Sequence, residues 1–392
     1  MTEKHATATG LVPPAAKSAP PSVHAPAPLL AKLPTVLGLL LFVAALAVPV
    51  LLFADDRYWL PIITRSLAIA IFALSVDLVW GYTGLLSLGQ GLYFGLGAYM
   101  VAYALNLQKA AQERGGAPGT ALTDFMIACR VEEVPAWMAP LANIWLAVAL
   151  AILLPTIVAT LFGYVAFRVR IKGVFFSLIT QAMTLAVFTF VVNQQPYTGG
   201  IVGMPGLARL ELFGHRFNSQ VEMYWLIAGS LVVCFALCLG LVRSKFGKVL
   251  TAIRDNETRT LALGYDTAMY KTFVFAAAGA LAGFAGALYT AVQRTVGPEE
   301  VLGIGFSIEI VILVAVGGRG TLIGAVIGTL LVMLGKTYIN NELKQAWPII
   351  LGGLFILVVV FLPEGIVGFL RHALVRLRKL WPRNRSLVVS PR

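Results

Sequence analysis

Long apolar stretches alternate with short polar connections along most of this chain. Each stretch is close to the roughly 20 residues that an α-helix needs to cross a bilayer. The pattern predicts an all-α, polytopic membrane protein with about ten transmembrane helices. The predicted spans are 34–53, 64–80, 84–106, 144–167, 173–193, 223–242, 271–292, 303–317, 321–339 and 347–368.

One internal polar segment, Arg243–Lys271, interrupts this pattern between two predicted spans. Its apolar residues recur among charges with a helical spacing, and Gly264 is placed to end the helix. Its cations stand beside membrane spans and favour a cytoplasmic location. The segment therefore predicts an amphipathic helix on the cytoplasmic side, which either lies on lipid headgroups or contacts a partner protein.

The two ends of the chain differ from the part between them. Residues 1–33 are rich in Ala and Pro and lack an apolar run, so we predict a disordered cytoplasmic tail. Residues 34–370 form the predicted membrane domain, with 243–271 as its cytoplasmic loop. Residues 371–392 form a basic cytoplasmic tail. With ten spans both termini are cytoplasmic, and on that side Lys and Arg greatly outnumber acids, as the positive-inside rule requires.

The composition excludes a soluble globular protein. Hydrophobic residues make up 58% of the chain and charged residues 12%, whereas ordinary domains carry about 25% charged residues. Three cysteines give no disulfide framework, and four histidines are too scattered for a metal site. Since no catalytic constellation or phosphate-binding loop is present, we expect no enzyme, no cofactor in this chain and no nucleic-acid partner.

Two glycine-rich segments, 81–99 and 303–328, each join a serine-bearing apolar stretch to a cluster of glycines. One lies before the central polar loop and the other after it. Glycine-interrupted segments at corresponding places in two halves of a transporter point to an inverted repeat that lines a pathway. The two segments show no residue-by-residue match, so the repeat is an expectation from placement alone.

Two carboxylates, Asp77 and Glu309, lie inside predicted spans, where a charge costs at least about 2.5–3.5 kcal/mol. They either line a substrate path or hold helices together, and their spacing does not separate these roles. Uncharged polar residues accompany them and suggest a path for a small hydrogen-bonding solute, unless the hydroxyls only bond their own helix backbone. These candidate pathway residues are Thr83, Ser87, Gln90, Ser177, Thr180, Gln181 and Ser307.

The run Ala252-Ile253-Arg254-Asp255-Asn256-Glu257, with Gly264 seven residues later, resembles the coupling loop of ABC importer permeases of the branched-chain amino acid type. The stretches GYTGLLSLGQGLYFGLGAY at 81–99 and SIEIVILVAVGGRGTLIGAVIG at 307–328 are similar to the same family, and the likeness runs from about Thr35 to Leu370. The resemblance implies that the loop docks on an ATP-binding subunit through Ile253, Arg254, Asp255, Asn256, Glu257, Leu261 and Gly264.

A narrower resemblance is to the urea-type permease of this family. It rests on LTDFM at 122–126, PAWMAP at 135–140 and RIKGVFFSLITQA at 170–182. The run Thr198–Pro205 departs from that type because it keeps Gly-Gly but lacks the usual amide side chains. Urea is the expected substrate, and a branched-chain amino acid or a short amide is the alternative.

The resemblance also implies partners and a location. They are a second permease subunit, two cytoplasmic ATP-binding subunits that hold the ATP, and a periplasmic solute-binding protein that docks on the outer loops 107–143 and 194–222. Besides these the chain would contact membrane lipid, in a bacterial inner membrane. The competing class is a stand-alone channel or secondary transporter, which has no need of the 243–271 loop.

Overall fold

The computed structural model describes residues 28–53, 56–171, 173–342, 347–361 and 365–369. Contacts divide the chain into two units, 1–48 and 49–392. In the first unit the described residues belong to a helix that begins at Pro28, so residues 28–33 are helical and not part of a disordered tail. The remainder of that predicted tail and the whole 371–392 tail lie outside the described residues.

The described chain is mostly helical, as predicted. A 3₁₀ turn covers Ala139–Ala142, and a short antiparallel hairpin joins β1 (Glu211–Leu212) to β2 (His215–Arg216). The helices are α1 (Pro28–Phe53), α2 (Trp59–Thr83), α3 (Gln90–Arg114), α4 (Asp124–Ala128), α5 (Ile144–Arg168), α6 (Val174–Asn193), α7 (Gln195–Thr198), α8 (Gln220–Arg243), α9 (Lys245–Asp255), α10 (Glu257–Ala262), α11 (Thr267–Gln293), α12 (Pro298–Leu302), α13 (Ile304–Gly317), α14 (Leu322–Glu342) and α15 (Trp347–Phe361).

Six described helices are long and apolar enough to cross a membrane. They are α2, α5, α6, α8, α11 and the Leu322–Asn340 part of α14. Three shorter apolar segments, Leu41–Phe53, Ile304–Gly317 and Ile349–Val358, coincide with other predicted spans. The chain is therefore a multi-pass helical membrane protein.

In the core of the second unit α11 packs against α2, α3 and α5, and glycines allow these helices to approach closely. A Cβ on Gly97 of α3 would lie 2.0 Å from the carbonyl oxygen of Gly283 in α11. On the same helix, a Cβ on Gly279 would lie 2.7 Å from Cβ of Ala159 in α5. The backbones can approach this closely only because these positions lack side chains, as expected for small residues at membrane helix interfaces.

Both glycine-rich segments contain a break in helical structure. Residues 84–89 separate α2 from α3, and Gly84 adopts a φ of 75° directly after the last turn of α2. In the second half Gly303 separates α12 from α13. Helix α13 has 14 residues, a length of roughly 21 Å, which is shorter than a bilayer core of about 30 Å.

Candidate functional site

The central polar segment forms two helices, α9 and α10, and not the single helix that the sequence predicts. Asn256 stands between them with φ −157° and ψ 97°, and its side-chain oxygen accepts a hydrogen bond of 2.9 Å from the backbone N–H of Arg259. This N-cap starts a new helix in a new direction. Gly264, with a φ of 90°, follows α10 as predicted, while the last residues of the predicted loop form the first turn of α11.

The inner face of α9 is anchored on the membrane bundle. Leu250 and Ile253 are buried, and Leu250 packs in one cluster with Leu78 of α2 and Val274 of α11. Burial of such side chains contributes about 1.5–3 kcal/mol each. Ile253, which the resemblance places in the docking set, therefore faces the protein's own core.

Glu257 also turns inward. Its Oε1 accepts a hydrogen bond of 2.6 Å from Lys271 Nζ and one of 3.2 Å from Thr267 Oγ1, both in the first turns of α11. The side chain of Lys271 is 6% exposed and that of Glu257 19%. The pair joins the start of α10 to the first turns of α11. Glu257 therefore has a structural role in addition to the docking role that the resemblance implies.

Arg254 joins α9 to the end of α2. Its Nη1 donates a hydrogen bond of 2.8 Å to the carbonyl oxygen of Gly81, and its Nε donates to Asp255 Oδ1 at 3.2 Å. The carbonyl groups in the last turn of a helix lack intrahelical partners and carry partial negative charge. The guanidinium therefore satisfies one of these groups while its aliphatic part lies against Gly84.

Asp77 lies one turn before Gly81 and binds the second glycine-rich segment. Its Oδ1 accepts a hydrogen bond of 2.6 Å from the backbone N–H of Gly320, in the turn between α13 and α14. A Cβ on Gly81 would lie 2.5 Å from the same Gly320 nitrogen. Asp77 and Arg254 thus meet the same pair of glycines, and the ends of α2, α9 and α13 come together here.

The outer face of α10 and the residues after it are exposed. Leu261 is 36% exposed, Leu263 71% and Tyr265 42%. The charged residues Asp255 and Arg259 are exposed beside them. Together Asp255, Arg259, Leu261, Leu263 and Tyr265 form one surface, the outer face.

Hydroxyl groups of α6, one of them a predicted pathway residue, bond the backbone of the first helix break. Ser177 Oγ donates a hydrogen bond of 2.6 Å to the Leu86 carbonyl oxygen, and Thr184 Oγ1 donates one of 3.3 Å to the Gly89 carbonyl oxygen. Thr180 lies between them and donates to the Ser177 carbonyl oxygen. Thr184 was missed by sequence reasoning, although its position seven residues after Ser177 continues the same helical face.

Three other predicted pathway residues lie near the first helix break or on α6. Thr83 donates to the Val79 carbonyl oxygen in its own helix, which is the structural alternative to a pathway role for such hydroxyls. Ser87 is buried and its Oγ accepts from the Gly89 N–H, while Gln181 is half-buried.

Three of the predicted pathway residues keep buried polar atoms without a hydrogen-bond partner among the described residues: Gln90 at both amide atoms, Ser307 at Oγ and Asp77 at Oδ2. A Cβ on Gly91 would lie 2.3 Å from Ser307 Oγ, so the starts of α3 and α13 are in contact. Both starts lie inside the bundle. Unpaired buried amides and hydroxyls are costly unless another group or water satisfies them.

Glu309 pairs with Lys336. Lys336 Nζ donates a hydrogen bond of 2.6 Å to Glu309 Oε1, joining α13 to α14. Both line a cavity of about 370 Å³ to which Arg65 of α2 also contributes. Sequence reasoning missed Arg65 and Lys336, although a cation inside the predicted 321–339 span was a signal for a partner of Glu309.

At the opposite end of the bundle from α9, the loop after α3 carries an ion cluster. Asp124 bonds Arg114 and accepts a hydrogen bond of 3.3 Å from Lys109 Nζ. The hydrogen bond from Arg114 is the main cause that lowers the pKa of the Asp124 carboxyl below its usual value, while partial burial opposes it. This cluster connects α3 to α4 across the loop predicted to be external.

These features define a polytopic helical membrane protein with a helical segment clamped to one end of its bundle. Residues 58–360 match the family described as branched-chain amino acid transport system, permease component, and the chain belongs to this family. It is therefore a transport component and not an enzyme. No solved structure matches the chain.

Three relatives illustrate the similarity. The high-affinity branched-chain amino acid transport system permease protein LivM of Salmonella typhimurium is 25% identical over 357 residues, which cover 85% of this chain and 75% of the relative. LivM of Escherichia coli is 24% identical with the same coverage. The probable LivM of Methanocaldococcus jannaschii is 22% identical over 312 residues, or 76% of this chain and 89% of the relative. None of these names supports urea, the substrate expected from the narrower resemblance.

Proposed function

We propose that this chain is a membrane-spanning subunit of an ATP-driven importer that carries branched-chain amino acids into the cytoplasm. Its partners are a second permease subunit, two ATP-binding subunits that hold the ATP, and a periplasmic solute-binding protein. The chain itself binds no cofactor. The family's description and the names of the relatives support the solute class.

The arrangement of α9 and α10 carries this proposal. Their inner side is fixed to the bundle by Leu250, Arg254 and the Glu257–Lys271 pair, while the outer face is exposed. A segment that is fixed to the bundle on one side and exposed on the other can transmit a displacement of a bound partner to the helices that it contacts. A stand-alone channel or secondary transporter needs no such segment.

The composition of the outer face favours a protein partner over lipid headgroups. Asp255 is exposed beside Leu261 and Leu263, and anionic lipid repels acids at a helix surface. A protein groove can pair both signs and bury the apolar side chains. Docking on an ATP-binding subunit is therefore the preferred function of this face.

The topology in the proposed complex has ten spans, with α9, α10 and both termini in the cytoplasm. The two broken segments, 84–89 and the Gly303 junction, support discontinuous helices in two halves and hence the inverted repeat. A cysteine at Gln112 should react with an impermeant reagent in intact cells, and one at Thr258 should be protected. Labelling at Thr258 from outside would contradict this topology.

The substrate and the mechanism are tested together in proteoliposomes that contain the complete importer. Uptake of leucine should require ATP, the ATP-binding subunits and the solute-binding protein, and excess urea should not compete. Urea uptake with no leucine uptake would replace the proposed substrate by the urea alternative. Leucine uptake by this chain alone would indicate a channel or secondary transporter.

Docking is tested by Leu263→Asp, which places a charge in the outer face. The ATP-binding subunits should no longer co-purify with the membrane subunits. Phe213→Asp is the matched control for co-purification alone, because Phe213 is 90% exposed at the other end of the bundle, in the loop proposed to contact the solute-binding protein. Normal co-purification and uptake with Leu263→Asp would contradict docking through this face.

A further inference from the structure

A charged cavity lies among helices of the bundle, away from α9 and α10. It has a volume of about 370 Å³ and is bounded by α2, α11, α12, α13 and α14. Arg65 precedes Gly81 by 16 residues on α2, a separation of roughly 24 Å along the helix. The cavity is therefore at the level of the bundle opposite to the Arg254 contact, on the side from which a solute would enter.

Its charged groups are of both signs. Glu309 and Lys336 form their 2.6 Å pair on one wall, and Glu299 and Glu300 of α12 are exposed where they line it. Arg65 lines it from α2 and forms no hydrogen bond or ion pair with the described residues, although its Nε is buried. A buried guanidinium nitrogen without a partner is costly, and an oxyanion is the ligand that it binds best.

The uncharged part of the lining is mixed: Tyr289, Gln293 and Asn340 add polar groups, and the remaining residues are apolar. Ile69, Ile310 and Met333 contribute buried side chains, and Phe306 adds an aromatic ring. Pockets for small ligands have volumes of about 300–1,000 Å³ and combine apolar walls with a few placed polar groups. This cavity is at the lower end of that range, which suits a small solute.

The lining selects a chemical class. Urea is neutral and gains little from a separated cation and anion, whose presence inside a membrane protein is expensive. An α-amino acid carries a carboxylate, an ammonium and a side chain, and needs a cation, an anion and a surface that matches the side chain. The cavity supplies the first two groups and an apolar surface.

We propose that this cavity binds zwitterionic α-amino acids with apolar side chains. The Arg65 guanidinium takes the carboxylate, and the Glu309 carboxylate, held in place by Lys336, takes the ammonium. This assignment rests on the proposed import function and adds to it a site in the membrane subunit that recognises the solute after the binding protein releases it.

The test is protection of a cysteine in the complete membrane complex, without the solute-binding protein, in nanodiscs. Gln293→Cys places a thiol in the lining at a half-buried position, in a background where Cys129, Cys234 and Cys238 are replaced by alanine. Leucine should slow maleimide labelling at least threefold. Leucinol lacks the carboxylate, 4-methylpentanoate lacks the ammonium, and these two compounds and urea should not slow it.

Two matched variants sharpen the result. Arg65→Gln should raise the leucine concentration needed for protection by about ten- to a hundredfold, the loss expected for a charge-assisted hydrogen bond. Arg57→Gln removes an exposed cation near the start of the same helix and should change this leucine concentration less than about twofold, as expected for a surface position.

The labelling control is Gln112→Cys, on the outer surface, which should label at the same rate with and without leucine.

The outcomes separate the site from the function. If the unsubstituted importer transports leucine but leucine does not protect Gln293→Cys, the site is wrong and the function stands. If urea or leucinol protects as well as leucine, the zwitterion assignment is wrong. The ligand comparison needs no change in a charged residue, so it decides even if Arg65→Gln fails to assemble.

Discussion

Arg254 Nη1 donates a hydrogen bond of 2.8 Å to the Gly81 carbonyl oxygen across 173 positions of sequence. The bond links the polar segment to the last turn of α2, and Asp77, one turn earlier on the same helix, binds Gly320. A displacement of α9 would therefore move residues in both glycine-rich segments at once. This contact is a physical route from the outer face to the helix breaks.

We expect Arg254→Met to separate ATP hydrolysis from transport. The substitution keeps much of the aliphatic packing against Gly84 but removes the donor to Gly81, a charge-assisted bond of about 1.5–3 kcal/mol. Leucine uptake in proteoliposomes should fall at least tenfold while the ATP-binding subunits still co-purify. Lys248→Met, at an exposed position of the same helix, is the control. Unchanged uptake per ATP hydrolysed would rule out this route.

The Glu257–Lys271 pair should be structural. Glu257→Arg places two cations together where Lys271 is almost fully buried, and breaking a buried pair costs about 3–5 kcal/mol. The thermal midpoint of the purified complex should fall. Lys271→Glu in the same chain should restore much of it, because the pair is re-formed with reversed charges. No recovery in the double variant would show that the pair is not the cause.

The close approach of Gly81 and Gly320 should tolerate no side chain at Gly81. A Cβ there would lie 2.4 Å from Asp77 Oδ1 and 2.5 Å from the Gly320 nitrogen. Gly81→Ala should therefore lower the yield of folded protein on size-exclusion chromatography. Gly229→Ala, on α8 where a Cβ meets nothing within 4 Å, should be neutral or stabilising. Equal yields of both variants would contradict the close approach.

The Asp124 cluster should make the 115–128 loop sensitive to acid. The folded-state pKa of Asp124 is depressed, so its contribution is present above the unfolded value of about 3.9 and is lost as pH falls through the folded value. The protection of the loop amides, measured as exchange relative to unstructured amides at the same pH, should fall below about pH 3.9 relative to pH 6. Asp124→Asn should exchange faster at both pH values and lose this dependence; a retained dependence would point to another group.

Sequence reasoning located the membrane helices well because their signal is local. An apolar run of sufficient length predicts a span without knowledge of its neighbours, and α5 begins at Ile144 where the span 144–167 was expected. The break at Asn256 was less visible. Apolar residues on both sides of Asn256 keep a helical spacing. Only the hydrogen bond from the Arg259 N–H to the Asn256 side chain shows that one helix ends there and another begins.

The sequence indicates the residue types of the candidate site but not which residues meet. Glu309 was singled out as a carboxylate in a span, and its partner Lys336 is 27 positions away on another helix. Arg65 stood at the edge of the predicted 64–80 span, where a cation indicates a boundary as readily as a site. Ser177 was expected in a pathway, and the structure adds that Ser177 and Thr184, which was not predicted, bond the backbone of the first helix break.

By itself the sequence determined the class of protein, the positions of most helices and the existence of one long polar helical segment between spans, because hydropathy, charge bias and motifs are properties of consecutive residues. The tertiary structure alone decided which side of α9 is buried, which acid pairs with which cation, and that Arg65, Glu309 and Lys336 share one cavity. These facts depend on how distant helices pack. Where glycines allow helix backbones to come into contact, the packing depends on how several helices fit together. It cannot be read from the sequence of any single helix.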